Sequence, residues 1–406
     1  MPGTTLNQLA IEGGQPSREL PFAPWPYFEL DEIEAAAAVL RSGKVNYWTG
    51  EEGRLFEKEF AASVGCKHGV AVANGTVALE LALHALGIGE GDEVIVPSRT
   101  FIASASCVVM RNAIPVIADV DRTSQNLTAD TIQPLLSSRT KAIIAVHLAG
   151  WPSDMDSILE LARRHGIKVI EDCAQAHAAV YKDRPVGSLG DVAAFSFCQD
   201  KILTTGGEGG MLTTNDDSVW ERAWSFRDHG TSFDAVHGVQ DSAGFRWVHD
   251  SFGTNWRLTE MQSVIGRAQL AKLPRWVALR GRNASILAKG FSACPALRIT
   301  SPSAEIRHSY YRYYVFVRPE LLREGWDRDR IMAAVNAEGI PCFSGICSEI
   351  YLEKAFPEAL RPPRHRTVAR ELGATSLAFL VHPTLSEKDM LDTCHAVEKV
   401  MNAAAR

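Results

Sequence analysis

Lys201 and Asp172 are the residues whose types and positions point most directly to chemistry. Lys201 lies in Ser196-Phe197-Cys198-Gln199-Asp200-Lys201-Ile202-Leu203-Thr204-Thr205-Gly206-Gly207-Glu208-Gly209-Gly210, after an apolar run and before a glycine-rich turn. A lone lysine is usually a surface residue. Here the glycines give a backbone without side chains that lets a bulky ring approach the amine. A lysine in such a pocket has a lowered pKa, forms a Schiff base with an aldehyde and then shuttles protons. Asp172, in Glu171-Asp172-Cys173-Ala174-Gln175, ends an upstream apolar run. Alone it would read as a cap or turn residue. Paired with Lys201 it reads as the carboxylate that keeps a pyridine nitrogen protonated, and the two together imply a pyridoxal 5′-phosphate (PLP) site.

Further candidates gather around this pair. Gln175, three residues beyond Asp172, can reach the ring hydroxyl from the same turn. Asn74-Gly75-Thr76 follows one apolar run and opens a helical stretch, so free N–H groups and a hydroxyl are offered to a phosphate. Ser196 supplies a second phosphate hydroxyl, its alternative being a plain strand serine. Phe101, just past a strand end, can stack on the ring or belong to the core. His147 and His177 also lie near strand ends, and each reads first as a structural histidine, His177 being the nearer to Gln175. No H-E-x-x-H, paired-cysteine or EF-hand pattern occurs, so no metal is expected. No G-x-G-x-x-G follows a strand either.

These residues need a scaffold that brings strand ends together. Between about residues 55 and 215, short β-rich runs alternate with helical stretches. The runs are Gly69–Ala73, Glu93–Pro97, Pro115–Asp119, Lys141–His147, Ile167–Asp172 and Val192–Phe197. Continuous apolar runs of this kind predict an α/β fold with a mostly parallel sheet covered by helices on both faces, and functional groups beyond the strand ends. Thr259 and Gln262 form a capping-box pattern opening a helix to Leu273, where Pro274 is expected to stop it. Tyr311–Val317 then reads as a strand, Asp327–Glu338 as a helix ended by Gly339, and Ser386 as the cap of a long last helix. The expected organisation is an N-terminal arm (1–20), a large α/β domain (21–274) and a smaller C-terminal α+β domain (275–406).

Composition removes other classes. A chain of 406 residues exceeds the ~250–300 at which single cores stop growing. Its net charge of −6 gives no reason to expect nucleic acid or an anionic membrane as partner. No apolar run nears the ~20 residues of a membrane span, and the start lacks a signal-peptide pattern. The eight cysteines are scattered, as expected of small buried side chains in a reducing compartment. A cytoplasmic location is the expectation.

With Lys201, Asp172, Gln175 and Gly75-Thr76 in place, the chain resembles the DegT/DnrJ/EryC1/StrS sugar aminotransferases of PLP-dependent transferase fold type I. The resemblance spans roughly residues 20–400. It also rests on Gly91–Pro97, Glu171–His177, Ser196–Gly210 and Gly253–Gln262. It implies that Thr76 and Ser196 hold the cofactor phosphate and that Phe101 lies against the ring. It further implies that the asparagine at Asn255 reaches the phosphate of a neighbouring subunit, hence a homodimer with shared sites. The implied reaction is ping-pong transfer from glutamate or glutamine, through the pyridoxamine form, to a keto-sugar, most plainly a nucleotide-linked one. Alternatives are a keto-cyclitol acceptor, a PLP-dependent sugar dehydratase (disfavoured by Lys201, which that branch replaces with histidine) and a non-catalytic regulator. Two departures stand out: an extra glycine in Thr205–Gly210, and replacement of the usual His-Tyr-x-Pro-x-His stretch by Gly339–Tyr351, with the divergent part at 341–351.

Overall fold

The computed structural model describes residues 8–238 and 247–406. Its centre is a seven-stranded sheet. In chain order the strands are β1 (His68–Val72), β2 (Glu93–Pro97), β3 (Ile114–Ala118), β4 (Thr140–Val146), β5 (Lys168–Asp172), β6 (Val192–Ser196) and β7 (Gly210–Thr214), and in space they run β1-β7-β6-β5-β4-β2-β3. The pairs β2–β3, β2–β4, β4–β5 and β5–β6 are parallel, whereas β7 pairs antiparallel with β6 and β1. The six expected strands are present within a residue or two of their predicted ends. β7 is the addition: the chain leaves β6 at Ser196, passes Lys201 and returns opposite it, with Ser196 paired to Gly210.

Strand side chains alternate between two cores. Val94 and Val96 of β2 join the core on one face, and Ile95 joins the core on the other. Both faces are covered, which is why these strands read as unbroken apolar runs. A third core, containing Leu287, Phe291, Val315 and Phe379, belongs to the C-terminal part. There a four-stranded antiparallel sheet runs in space Leu297–Ile299, Tyr313–Val317, Ser376–Phe379, Cys342–Phe343.

The capping box at Thr259 and Gln262 is present, but the stop at Pro274 is not. The helix runs from Glu260 to Phe291 with Pro274 inside it. Proline there costs one backbone hydrogen bond and about 3 kcal/mol. The helix buries Leu273 and Val277 in a sheet core and Ala284, Leu287 and Phe291 in the C-terminal core. Burial of that many apolar side chains, at about 1.5–3 kcal/mol for each large one, outweighs the proline. The helix thus passes through the residue where two domains were expected to divide. Farther on, Asp327 caps Arg328–Ala337, Gly339 has φ +86°, and Ser386 caps Glu387–Ala404. The described part of the N-terminal arm packs onto this region: Leu9 enters its core, and Arg18 pairs with Asp389 at 2.8 Å and Asp392 at 2.7 Å. Among the described residues, no helix is long and apolar enough to cross a membrane.

Candidate active site

Asp172 ends β5 with its side chain almost fully buried. Ser104 Oγ donates to Oδ2 at 3.0 Å, and the Ala174 N–H donates to Oδ1 at 3.1 Å. Burial pushes its pKa up, against those two bonds and the positive charge of Lys201. Among the described residues no cation pairs with it directly. A buried carboxylate in this condition is suited to a protonated ring nitrogen, and that is the structural test of whether PLP fits.

Lys201 lies in the β6–β7 connection, with Nζ 3.8 Å from Asp200 Oδ1 and 5.1 Å from the centre of the Tyr311 ring. Trp25 Nε1 donates to its backbone carbonyl at 2.9 Å. The Tyr311 hydroxyl donates to Asp200 Oδ2. Burial would raise the pKa of Asp200, but the Lys201 charge and the Tyr311 bond outweigh it and hold the carboxyl below its ordinary value.

The helix Gly75–Ala85 begins beside the end of β6. Asn74 caps it, its side chain accepting from the Val77 N–H at 3.0 Å. The Gly75 and Thr76 amides precede the first intrahelical donors and have no partner of that kind. A Cβ on Gly75 would lie 2.6 Å from Ser196 Cβ, so only glycine lets this helix end close on Ser196. Gly75, Thr76 and Ser196 therefore form one cradle. Gln175 Oε1 accepts from the Ala149 N–H at 2.8 Å, which orients the amide and leaves Nε2 as its donor. Phe101 is 63% exposed and lies three residues before Ser104. Asn255 is exposed too, and no hydrogen bond or ion pair among the described residues ties its side chain to the pocket of its own chain.

Residues 26–398 match the DegT/DnrJ/EryC1/StrS aminotransferase family. The chain belongs to that family. It is an aminotransferase of the PLP-dependent type. It is 37% identical over 397 residues to a GDP-perosamine synthase of Caulobacter vibrioides, covering 92% of this chain and 99% of that one. It is 34% identical over 416 residues to an L-glutamine:2-deoxy-scyllo-inosose aminotransferase of Streptoalloteichus tenebrarius, covering 97% of each. The crystal structure of an aminotransferase from Psychrobacter cryohalolentis superposes with a TM-score of 0.93 at 51% identity, over 94% of this chain and 99% of that one.

The two histidines of this DegT/DnrJ/EryC1/StrS aminotransferase have different surroundings. His147 is fully engaged: Nε2 meets Glu171 Oε2 at 2.9 Å, and Nδ1 accepts from the Ser153 N–H at 3.0 Å. It holds the turn after β4 and has no nitrogen left for substrate. One ligand atom each of His147, Glu171 and Cys173 lies within 4.8 Å of the others, a spacing that by itself would suit a metal ion. The histidine and carboxylate lone pairs are already used, however, and burial pushes the Cys173 thiol pKa well up. His177 packs beside Phe195 and Phe197, at 5.6 and 5.7 Å between ring centres, and among the described residues neither ring nitrogen has a hydrogen-bond partner. Burial and the charges of Lys201 and Arg280 push its pKa down to about 3, so it stays neutral.

Ser104, Asp200, Trp25 and Tyr311 belong to the site but were not singled out by sequence. Nothing in their local sequence distinguishes them. Asp200 adjoins Lys201 and was the one within reach of motif reasoning.

Proposed function

We propose that this aminotransferase holds PLP through Lys201 and moves an amino group from glutamate or glutamine to a nucleotide-linked keto-sugar. The observation that carries the cofactor reading is Asp172, a buried carboxylate under the charge of Lys201 that no cation among the described residues pairs directly. Bound PLP supplies an electron sink for the carbanion that forms at the donor α-carbon. Asp172 keeps the sink effective by holding the ring nitrogen protonated. Lys201 would tether the cofactor, and its freed Nζ would take the proton from the donor α-carbon and, in the acceptor half, deliver one to the former keto carbon that gains the amine. The first-turn amides of Gly75 and Thr76, with the Thr76 and Ser196 hydroxyls, hold the phosphate. Gln175 Nε2 donates to the ring oxygen, and Phe101 covers a ring face. The exposed side chain of Asn255 is free to serve the phosphate of a neighbouring subunit in a homodimer.

The acceptor reading leans on the GDP-perosamine synthase relative. The 2-deoxy-scyllo-inosose aminotransferase relative favours a second reading, with a keto-cyclitol as acceptor. The test begins with the visible absorbance of the purified protein and PLP, before and after glutamate. The expected result is a lysine-bound band that gives way to the pyridoxamine form, and turnover abolished in Lys201→Ala. Normal turnover in that variant would sink the assignment. Amination of a free keto-cyclitol, with no affinity for nucleoside diphosphates, would move the acceptor to the second reading.

A further inference from the structure

The divergent segment at 341–351 reaches the reactive lysine through a chain of ring contacts. Phe343, half-exposed in that segment, has the Arg312 guanidinium 5.5 Å from its ring centre. The same guanidinium lies 5.2 Å from the centre of the Tyr311 ring, and that ring lies 5.1 Å from Lys201 Nζ. Arg312 is therefore flanked by two aromatic rings and is two contacts from the amine. Among the described residues, no hydrogen bond or ion pair engages it. With rings beside it, its N–H edge is where a partner must come.

The surroundings make an arriving anion favourable. Arg280, almost fully buried on the long helix, gives Nη1 to the carbonyls of Tyr310 at 3.3 Å and Tyr311 at 3.4 Å, while Nε and Nη2 have no hydrogen-bond partner among the described residues. Burial and the charge of Arg312 lower its pKa to about 9. Burial, Arg280 and Arg312 push His382 down to about 3, so it adds no charge. Lys201 and Arg312 act on Asp200, which Tyr311 and Lys201 already engage, and Arg280 adds a further positive charge beside Arg312. Asp172, the other nearby carboxylate, is the residue assigned above to the ring nitrogen. Partly buried positive charge with too few carboxylates is costly until an anion pairs with it.

We propose that Arg312, backed by Arg280, is the receptor for a carboxylate of the amino donor. A guanidinium presents a planar fork that matches a carboxylate through two parallel hydrogen bonds. Its place beside Lys201 holds the donor with its amine at the reacting atoms. Phe343 and Tyr311 keep the fork oriented and partly dry, which gives the divergent segment a role in donor binding. The inference rests on the donor half of the proposed function.

The test uses the PLP-loaded protein and its variants Arg312→Met, Arg312→Lys and Phe343→Ala. Binding of glutarate, which cannot react, is measured by calorimetry, and the glutamate half-reaction by loss of the visible band. Arg312→Met should weaken glutarate roughly 10- to 100-fold and raise the half-saturating glutamate concentration alike. The lysine-bound band and nucleoside-diphosphate affinity should stay as in the wild type. Arg312→Lys should restore only part of the affinity, because an ammonium lacks the fork. Phe343→Ala, which keeps the guanidinium, should weaken glutarate less, and it serves as the test if Arg312→Met fails to fold. Unchanged glutarate affinity in Arg312→Met, or a loss confined to nucleoside diphosphates, would overturn the proposal. A wild-type protein that binds glutarate through Arg312 yet ignores glutamate would keep the carboxylate site and defeat the donor half of the function.

Discussion

Glu171 and Asp172 are neighbours on β5, both buried, with side chains on opposite faces of the sheet. Glu171 accepts from the N–H groups of Gly187 at 3.0 Å, Leu189 at 2.7 Å and Gly190 at 2.9 Å, and from His147 Nε2 at 2.9 Å. Burial alone would raise its pKa; the His147 and backbone bonds outweigh burial and hold it below the ordinary carboxylate value. Among the described residues Asp172 has only the Ser104 hydroxyl and the Ala174 amide as donors, and burial wins. The difference shows how similar burial serves two ends. A carboxylate saturated with donors is structural, because its charge is already compensated. One left short of donors carries a destabilisation that a cationic ligand removes.

The sharpest way to break this comparison is Asp172→Asn. It should cut kcat/KM for transamination by about 10²- to 10⁴-fold, the range for losing a proton-transfer or charge-stabilising group. The cofactor-free protein should melt no lower than the wild type, because an unpaired buried charge has gone. A kinetic loss under tenfold, or a clearly lower melting temperature without cofactor, would contradict the contrast.

Glu171→Gln should do the reverse. Its unfolding free energy in urea should fall by about 2–4 kcal/mol, since a buried acceptor of four hydrogen bonds loses its charge. The folded fraction should keep kcat within a few-fold. The pH dependences then separate the pair by sign. Glu171 has a depressed folded pKa, so its contribution is present above its unfolded value of about 4.3 and is lost as pH falls through the folded one. Asp172 has a raised folded pKa, so its contribution in the cofactor-free protein is present below its unfolded value and is lost as pH rises through the folded one. Urea titrations across that range should show the Glu171→Gln deficit shrinking toward acid and the advantage of Asp172→Asn growing toward alkali. The smallest effect is expected from Ser104→Ala, which removes one donor from Asp172 Oδ2. It should lower kcat/KM less than about tenfold.

The residues that sequence located were those whose type is unusual for their place. Asp172 is a charged group at the end of an apolar strand, Lys201 is one between another such strand and a glycine-rich turn, and Gly75 opens a helix after a capping asparagine, so local patterning marks them. Pro274 misled because a local helix-stop rule was set against burial contributed by two separate cores. Tyr311 and Arg312 were absorbed into a strand that begins only at Tyr313, where the ladder opens opposite Phe379. Outside that ladder, the Tyr311 ring lies 5.1 Å from Lys201 Nζ and the Arg312 guanidinium lies 5.2 Å from the same ring. His147 and His177 could not be separated by sequence, because what distinguishes them is whether Ser153 and Glu171 arrive at the ring nitrogens.

By itself the sequence determined the α/β order of elements, the strand ends that carry Asp172 and Ser196, the place of Lys201 before a glycine-rich turn, and the glycine-opened helix. These follow from periodicity, backbone permissiveness and residue chemistry, all of which act within a few positions. Only the tertiary structure decided how many donors each buried carboxylate receives, that the long helix continues through Pro274, and that Phe343, Arg312 and Tyr311 line up toward Lys201. Those outcomes depend on contacts between segments far apart in the chain, and charge compensation and burial exist only once such contacts have formed.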